Sequence, residues 1–177
     1  MNNLLLSKNT LIISFALLIL SIGVMRSFDG YLKNEVAPIG IVSFELASGL
    51  EESKAIINSW NEQSKTAAGL SLGFDYLYML IYGGFISVLL LRVKDYFQHK
   101  SFPRKTARFA LMGVWVAVLF DGVENYGLIR LILGDMREVW SSAALYFASA
   151  KFIILLMVII FLLITLPIMI FGRRRKQ

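Results

Sequence analysis

Long apolar runs alternate along the chain with short charged segments. Four of these runs reach the roughly 20 apolar residues that a helix needs to cross ~30 Å of hydrocarbon. They cover about residues 11–28, 70–91, 109–133 and 143–171, the last starting somewhere between Ser141 and Lys151. Lipid offers no partner to backbone groups, so a spanning run must satisfy them internally, as a helix does. The pattern therefore predicts an all-α integral membrane protein: a four-transmembrane-helix bundle forming a single membrane domain over residues 1–177. Ser7, Thr10, Ser14 and Ser21 recur on one side of the first run and mark the face expected to pack on other helices. That run could also be a signal peptide. However, Ile22-Gly23-Val24-Met25-Arg26 offers no small-x-small cleavage pattern, so we read it as an uncleaved helix.

The first loop is more than a linker. Pro38 can open a helix, and the apolar run that follows predicts helix over residues 39–50, at the outer membrane face. Residues 51–60 then read as an amphipathic turn with Ile56, Ile57 and Trp60 on its apolar side. The expectation is an additional amphipathic, interfacial helical segment over about residues 38–60. It would either cap the bundle or act as a lid over a cavity, with Glu45 pointing inward.

Charge placement orients the bundle. The chain carries 18 Lys and Arg against 12 Asp and Glu. This basic balance does not point to nucleic acid, because the cations cluster beside apolar runs. Arg92, Lys94, Lys100, Arg104, Lys105 and Arg108 crowd the loop between the second and third spans. Arg173, Arg174, Arg175 and Lys176 crowd the tail, while the first loop is acidic. The positive-inside rule puts the basic loop and both termini in the cytoplasm. A multi-pass protein of a cell membrane, a bacterial inner membrane, fits these short loops.

Composition limits the chemistry. With no cysteine and one histidine, His99 in the basic loop, zinc, haem and iron–sulfur sites are not expected. No cofactor and no metal site is predicted, although carboxylate-bound magnesium stays open.

The informative residues are charges that a bilayer should exclude. Asp121, Glu124 and Asn125 share one face of the third span, at i, i+3 and i+4. Ala110, Gly113 and Ala117 lie near that face and allow close helix contact, so it points into the bundle. Asp75, Tyr78, Met79 and Tyr82 share a face of the second span, and Lys151 lies in the fourth. At ~1.5 Å of rise per residue, Glu124 lies ~24 Å from Arg108, Asp75 ~26 Å from Arg92 and Arg26 ~27 Å from Lys8. Lys151 lies ~33 Å from Arg173 by the same measure. Opposite charges on separate helices thus reach similar levels in the outer half of the membrane. Arg130, on the far side of the third span, is expected to snorkel to the outer interface. A charge near mid-bilayer costs at least ~2.5–3.5 kcal/mol and usually faces a partner or a cavity.

Two carboxylates three residues apart can divide acid and base roles. Asp121 and Glu124 are the candidate catalytic pair. Glu45, Asp75, Tyr78, Tyr82, Asn125 and Lys151 are the candidate pocket. Such equipment suits proton transfer on, or binding of, a lipid-like or isoprenoid molecule arriving from the bilayer. No Ser–His–Asp, P-loop, HExxH or aspartate-rich diphosphate motif is present. The plan of a small helical bundle with acids on inner faces resembles membrane-embedded sterol isomerases and terpene cyclases, in architecture alone. Two other classes fit the same residues. One is a transport component holding an ion, a proton or an amphiphile, working as a homo-oligomer. The other is an accessory protein whose charges are structural or meet the helices of a membrane-protein partner. Membrane lipid is the one partner common to all three.

Overall fold

The computed structural model describes residues 6–98 and 101–174. His99, Lys100, Arg175 and Lys176, which figure in the charge pattern above, lie outside the described residues. The described chain is helical with no strand, in the order α1 (Lys8–Ser27), α2 (Asp29–Leu32), α3 (Ile41–Glu45), α4 (Leu50–Ser59), α5 (Glu62–Tyr96), α6 (Phe102–Ile132) and α7 (Glu138–Arg174). Four helices among the described residues are long and apolar enough to cross a membrane: α1 as continued by α2, then α5, α6 and α7.

Side chains set where these helices begin. Ser7 accepts the Thr10 amide at 3.1 Å and Asn61 accepts the Ser64 amide at 2.8 Å, each capping an otherwise orphan donor. Pro103 sits in the first turn of α6, where its missing N–H costs nothing. The last three long helices extend beyond the apolar runs. Residues 62–69 and 138–142 are polar helical turns, which hydropathy does not register.

α6 is the central helix, packed along α5 on one side and α7 on the other. α1 packs on α5 and makes no extended contact with α7, so the bundle is not sealed between the first and last long helices. Two glycines let helices approach closely. A Cβ on Gly83 would stand 2.9 Å from Val118 Cγ2, and one on Gly127 would stand 3.1 Å from the Trp140 carbonyl oxygen. Ser21 is the buried residue of α1. Much of that helix, with the outer faces of α6 and α7, presents apolar side chains such as Leu20, Phe109, Leu119 and Leu163 to the surroundings.

The first loop differs from the single helix expected over residues 39–50. Pro38 lies in a turn, and Gly40 (φ 66°) reverses the chain before α3 begins at Ile41. α3 ends at Glu45, and residues 46–49 separate it from α4. The loop is pinned by specific bonds. Trp60 Nε1 donates to the Leu32 carbonyl at 3.0 Å, Asn34 Nδ2 donates to Ser59 Oγ at 2.9 Å, and Ser53 meets Ser141 of α7 at 3.0 Å. Phe44, Ile56 and Trp60 pack there with Leu32, Leu72, Leu128 and Leu131. A second apolar core, with Leu90, Val93, Val114, Val158 and Leu162, fills the opposite end of the bundle. In the α6–α7 turn, Gly134 (φ 91°) turns the chain back, and the partly exposed Arg130 pairs with Asp135 at 2.6 Å.

Candidate functional site

Between the two apolar cores lies a layer of buried charge. Along α5 the order is Leu72, Asp75, Leu90; along α6 it is Val114, Asp121, Glu124, Leu128; along α7 it is Ala144, Lys151, Val158. α3 adds Glu45 from the folded loop above. Glu124 and Asn125 are fully buried, and Glu45, Asp75, Asp121 and Lys151 are nearly so.

Lys151 is the hub. Its Nζ donates to Asp121 Oδ1 at 2.6 Å and to Glu124 Oε1 at 3.0 Å. Glu124 Oε2 lies 2.8 Å and Glu45 Oε2 3.7 Å from the same nitrogen. The ammonium thus spends two of its three protons on Asp121 and Glu124, and Glu45 adds charge attraction at 3.7 Å without a hydrogen bond. Tyr82 donates its hydroxyl to Asp121 Oδ2 at 2.8 Å. Asp75 stands one step away, accepting from Asn125 Nδ2 at 2.6 Å, while Asn125 Oδ1 is buried without a hydrogen-bond partner among the described residues. Tyr76, from the neighbouring turn, donates to the Gly122 carbonyl at 3.1 Å and braces α5 against α6.

The layer opens into a cavity of about 300 Å³. Glu45, Asp75, Asp121 and Lys151 form its polar end together with Tyr78 and Tyr82, whose rings meet edge-on at 5.5 Å. Its apolar wall comes from Ile22 and Met25 of α1, Ile41 and Val42 of α3, and Phe152 of α7. The cavity thus occupies the unsealed side of the bundle, between α1 and α7. Glu124 and Asn125 are not in its wall and lie behind Asp121 and Asp75.

All eight sequence-predicted site residues belong to this assembly, but in different positions. Lys151 joins Asp121, Glu124 and Glu45 directly, Asn125 holds Asp75, Tyr82 holds Asp121, and Tyr78 contributes cavity wall. Sequence reasoning did not assign Arg26, Asp29 or Phe152 to the pocket, although all three line it. The matched depth of Arg26 was the available signal. Among the described residues no group of three or more acidic or histidine side chains is arranged to hold a metal ion.

Two acids outside the long helices show opposite environments. Burial pushes the Glu45 carboxyl above its ordinary value, and the neighbouring Lys151 only partly opposes this. Hydrogen bonds from Arg137 and Arg130 hold the Asp135 carboxyl well below the usual carboxylate range.

No protein family, characterised protein or solved structure matches the chain.

A functional reading therefore follows from the chemistry of the assembly. One cation against four carboxylates leaves an excess of negative charge if all are ionised. In a buried setting that excess must be met by protons or by a bound cation. A layer so composed can exchange protons with whatever occupies the cavity, or hold a polar head group there.

Proposed function

We propose that the chain is a multi-pass protein of a cell membrane, with both termini cytoplasmic, that takes the polar end of a lipid-like or isoprenoid molecule into its charged cavity. The apolar surfaces of α1, α6 and α7 support insertion, since soluble chains rarely expose contiguous apolar surface on this scale. The basic loop and tail support the orientation, which puts the charged layer in the outer half of the bilayer. The observation that carries the reading is the shape of the cavity: apolar along the gap between α1 and α7, polar at the buried Lys151 end. A molecule with a hydrocarbon tail and a polar head matches that division, and the gap gives it a lateral route from lipid. Asp121 is the acid that both meets the cavity and contacts Lys151 and Tyr82, so it is the candidate to exchange a proton with the occupant. Glu124, behind it, sets the position and charge of Lys151.

A second reading draws on the same ion pairs: the layer is a structural clasp joining α3, α6 and α7, as in a transport or accessory component. Amphiphiles extracted from purified protein in deuterated water separate the two. The first reading expects a retained amphiphile that acquires solvent deuterium at carbon, where exchange needs a catalyst, with the label lost in Asp121→Asn. A protein that retains no amphiphile counts against the pocket. A retained but unlabelled molecule counts against proton chemistry while leaving binding intact.

A further inference from the structure

The cavity wall carries both signs of charge, in different settings. Glu45, Asp75 and Asp121 are buried, whereas Arg26 is exposed. Lys151 cannot serve as an anion site, because its ammonium is already directed at three carboxylates. Asp29, three residues along the chain from Arg26 and also in the wall, is engaged by Lys33 at 2.8 Å. The Arg26 guanidinium makes no hydrogen bond or ion pair among the described residues. The buried end therefore offers unspent acceptors, and the exposed end offers a free guanidinium, a group suited to phosphate oxygens.

Resting on the amphiphile reading above, we propose that the occupant is zwitterionic: an aminophospholipid with a primary ammonium and a phosphate in one head group. The ammonium sits at the buried end, where Asp75 and Glu45 accept its N–H donors and the rings of Tyr78 and Tyr82 present faces that attract cations. The phosphate sits at Arg26, and the tail runs along Ile22, Met25, Ile41, Val42 and Phe152. A purely anionic head would face Glu45, Asp75 and Asp121 with only Arg26 in its favour. A quaternary ammonium has no N–H to give to the carboxylates.

The test uses the full chain in a neutral detergent, titrated with four single-chain probes of equal tail length and read by thermal shift. The probes are lysophosphatidylethanolamine, lysophosphatidylcholine, lysophosphatidylglycerol and the corresponding alcohol. The ethanolamine probe should bind more tightly than each of the others by on the order of tenfold, the worth of one charge-assisted hydrogen bond. Asp75→Asn should abolish its advantage over the glycerol probe. Arg26→Gln should weaken the ethanolamine probe by a similar factor and leave the alcohol unchanged. Because Arg26 is exposed, this variant stays informative even where Asp75→Asn does not fold. Equal or tighter binding of the glycerol or choline probe overturns the proposal. Equal binding of all four overturns it while leaving an amphiphile site in place. Absence of binding by any probe removes the amphiphile reading as well.

Discussion

Replacing Lys151 with methionine tests whether the charged layer holds the fold together. The substitution keeps an unbranched chain one atom shorter and removes the cation from a site that is 4% exposed. Asp121 keeps its bond from Tyr82, whereas Glu124 and Glu45 lose the ammonium at 2.8 and 3.7 Å. Removing one member of a buried charged pair costs about 3–5 kcal/mol, because the partner is left uncompensated. At ~2–4 °C per kcal/mol for a chain of this size, the melting temperature should fall by roughly 6–20 °C. The loss should be asymmetric. Lys151→Met combined with Asp121→Asn and Glu124→Gln removes the orphaned charges and should recover at least half of it. Lys54→Met is the control: its pair with Glu51, also 2.8 Å long, is exposed. An exposed pair of this kind contributes at most ~1 kcal/mol. The readout is thermal unfolding of detergent-purified protein, followed by helical circular dichroism. If Lys151→Met melts within about 2 °C of the parent, the reasoning fails, since the carboxylates are then neutralised without the lysine.

Other consequences are open to measurement. Reporter fusions at Gln177 and in the 92–108 loop should both report cytoplasm, and an external C-terminus would refute the four-span topology. Gly83→Ala should lower stability by about 1–3 kcal/mol, because its Cβ would collide with Val118. Gly84→Ala, with nothing within 4 Å, should not; equal effects would show that α5 and α6 are not held at this separation. The raised Glu45 carboxyl contributes stability that is fully present below pH ~4.3. That contribution is lost as pH rises through the folded-state value, so Glu45→Gln should flatten the fall in melting temperature across this window. Parallel pH profiles for parent and variant would remove Glu45 from the buried layer.

The long helices were legible because an apolar run of ~20 residues has few alternatives. Their ends were not. α5 begins at Glu62 rather than near Leu70, since the polar turns after the Asn61 cap are helical without being apolar. Hydropathy reports burial in an apolar medium, and capping sets where a helix starts. The first loop misled for a related reason. Ile41 and Phe44 are apolar because they pack in the outer core, and Gly40 and residues 46–49 interrupt any single helix through them. The burial of Asp121, Glu124 and Asn125 was legible, because an acid inside an apolar run needs a reason to be there and helical spacing fixes its face. The partner of Arg130 was not legible, because it depends on the turn at Gly134 that brings Asp135 back to it. The close contacts at Gly83 and Gly127 depend on which helices are neighbours, and a single sequence does not encode that visibly.

The distribution of partners within the layer divides its work. Lys151 is hydrogen-bonded to Asp121 and Glu124 and paired more loosely with Glu45, so these four groups tie α3, α6 and α7 together. Asp75 is outside that set, held by a neutral amide whose own carbonyl oxygen has no hydrogen-bond partner among the described residues. Asp75 also lines the cavity, beside two tyrosine rings and opposite the wall supplied by α1. α1 is in turn the least enclosed of the long helices, packed on α5 alone over most of its length. A paired ion cluster is costly to move, while an acid with an uncharged partner and an adjacent cavity has room to meet a ligand cation with little disturbance. The rigid half of the site is therefore the Lys151 cluster, and its adaptable half is Asp75 with the α1 wall.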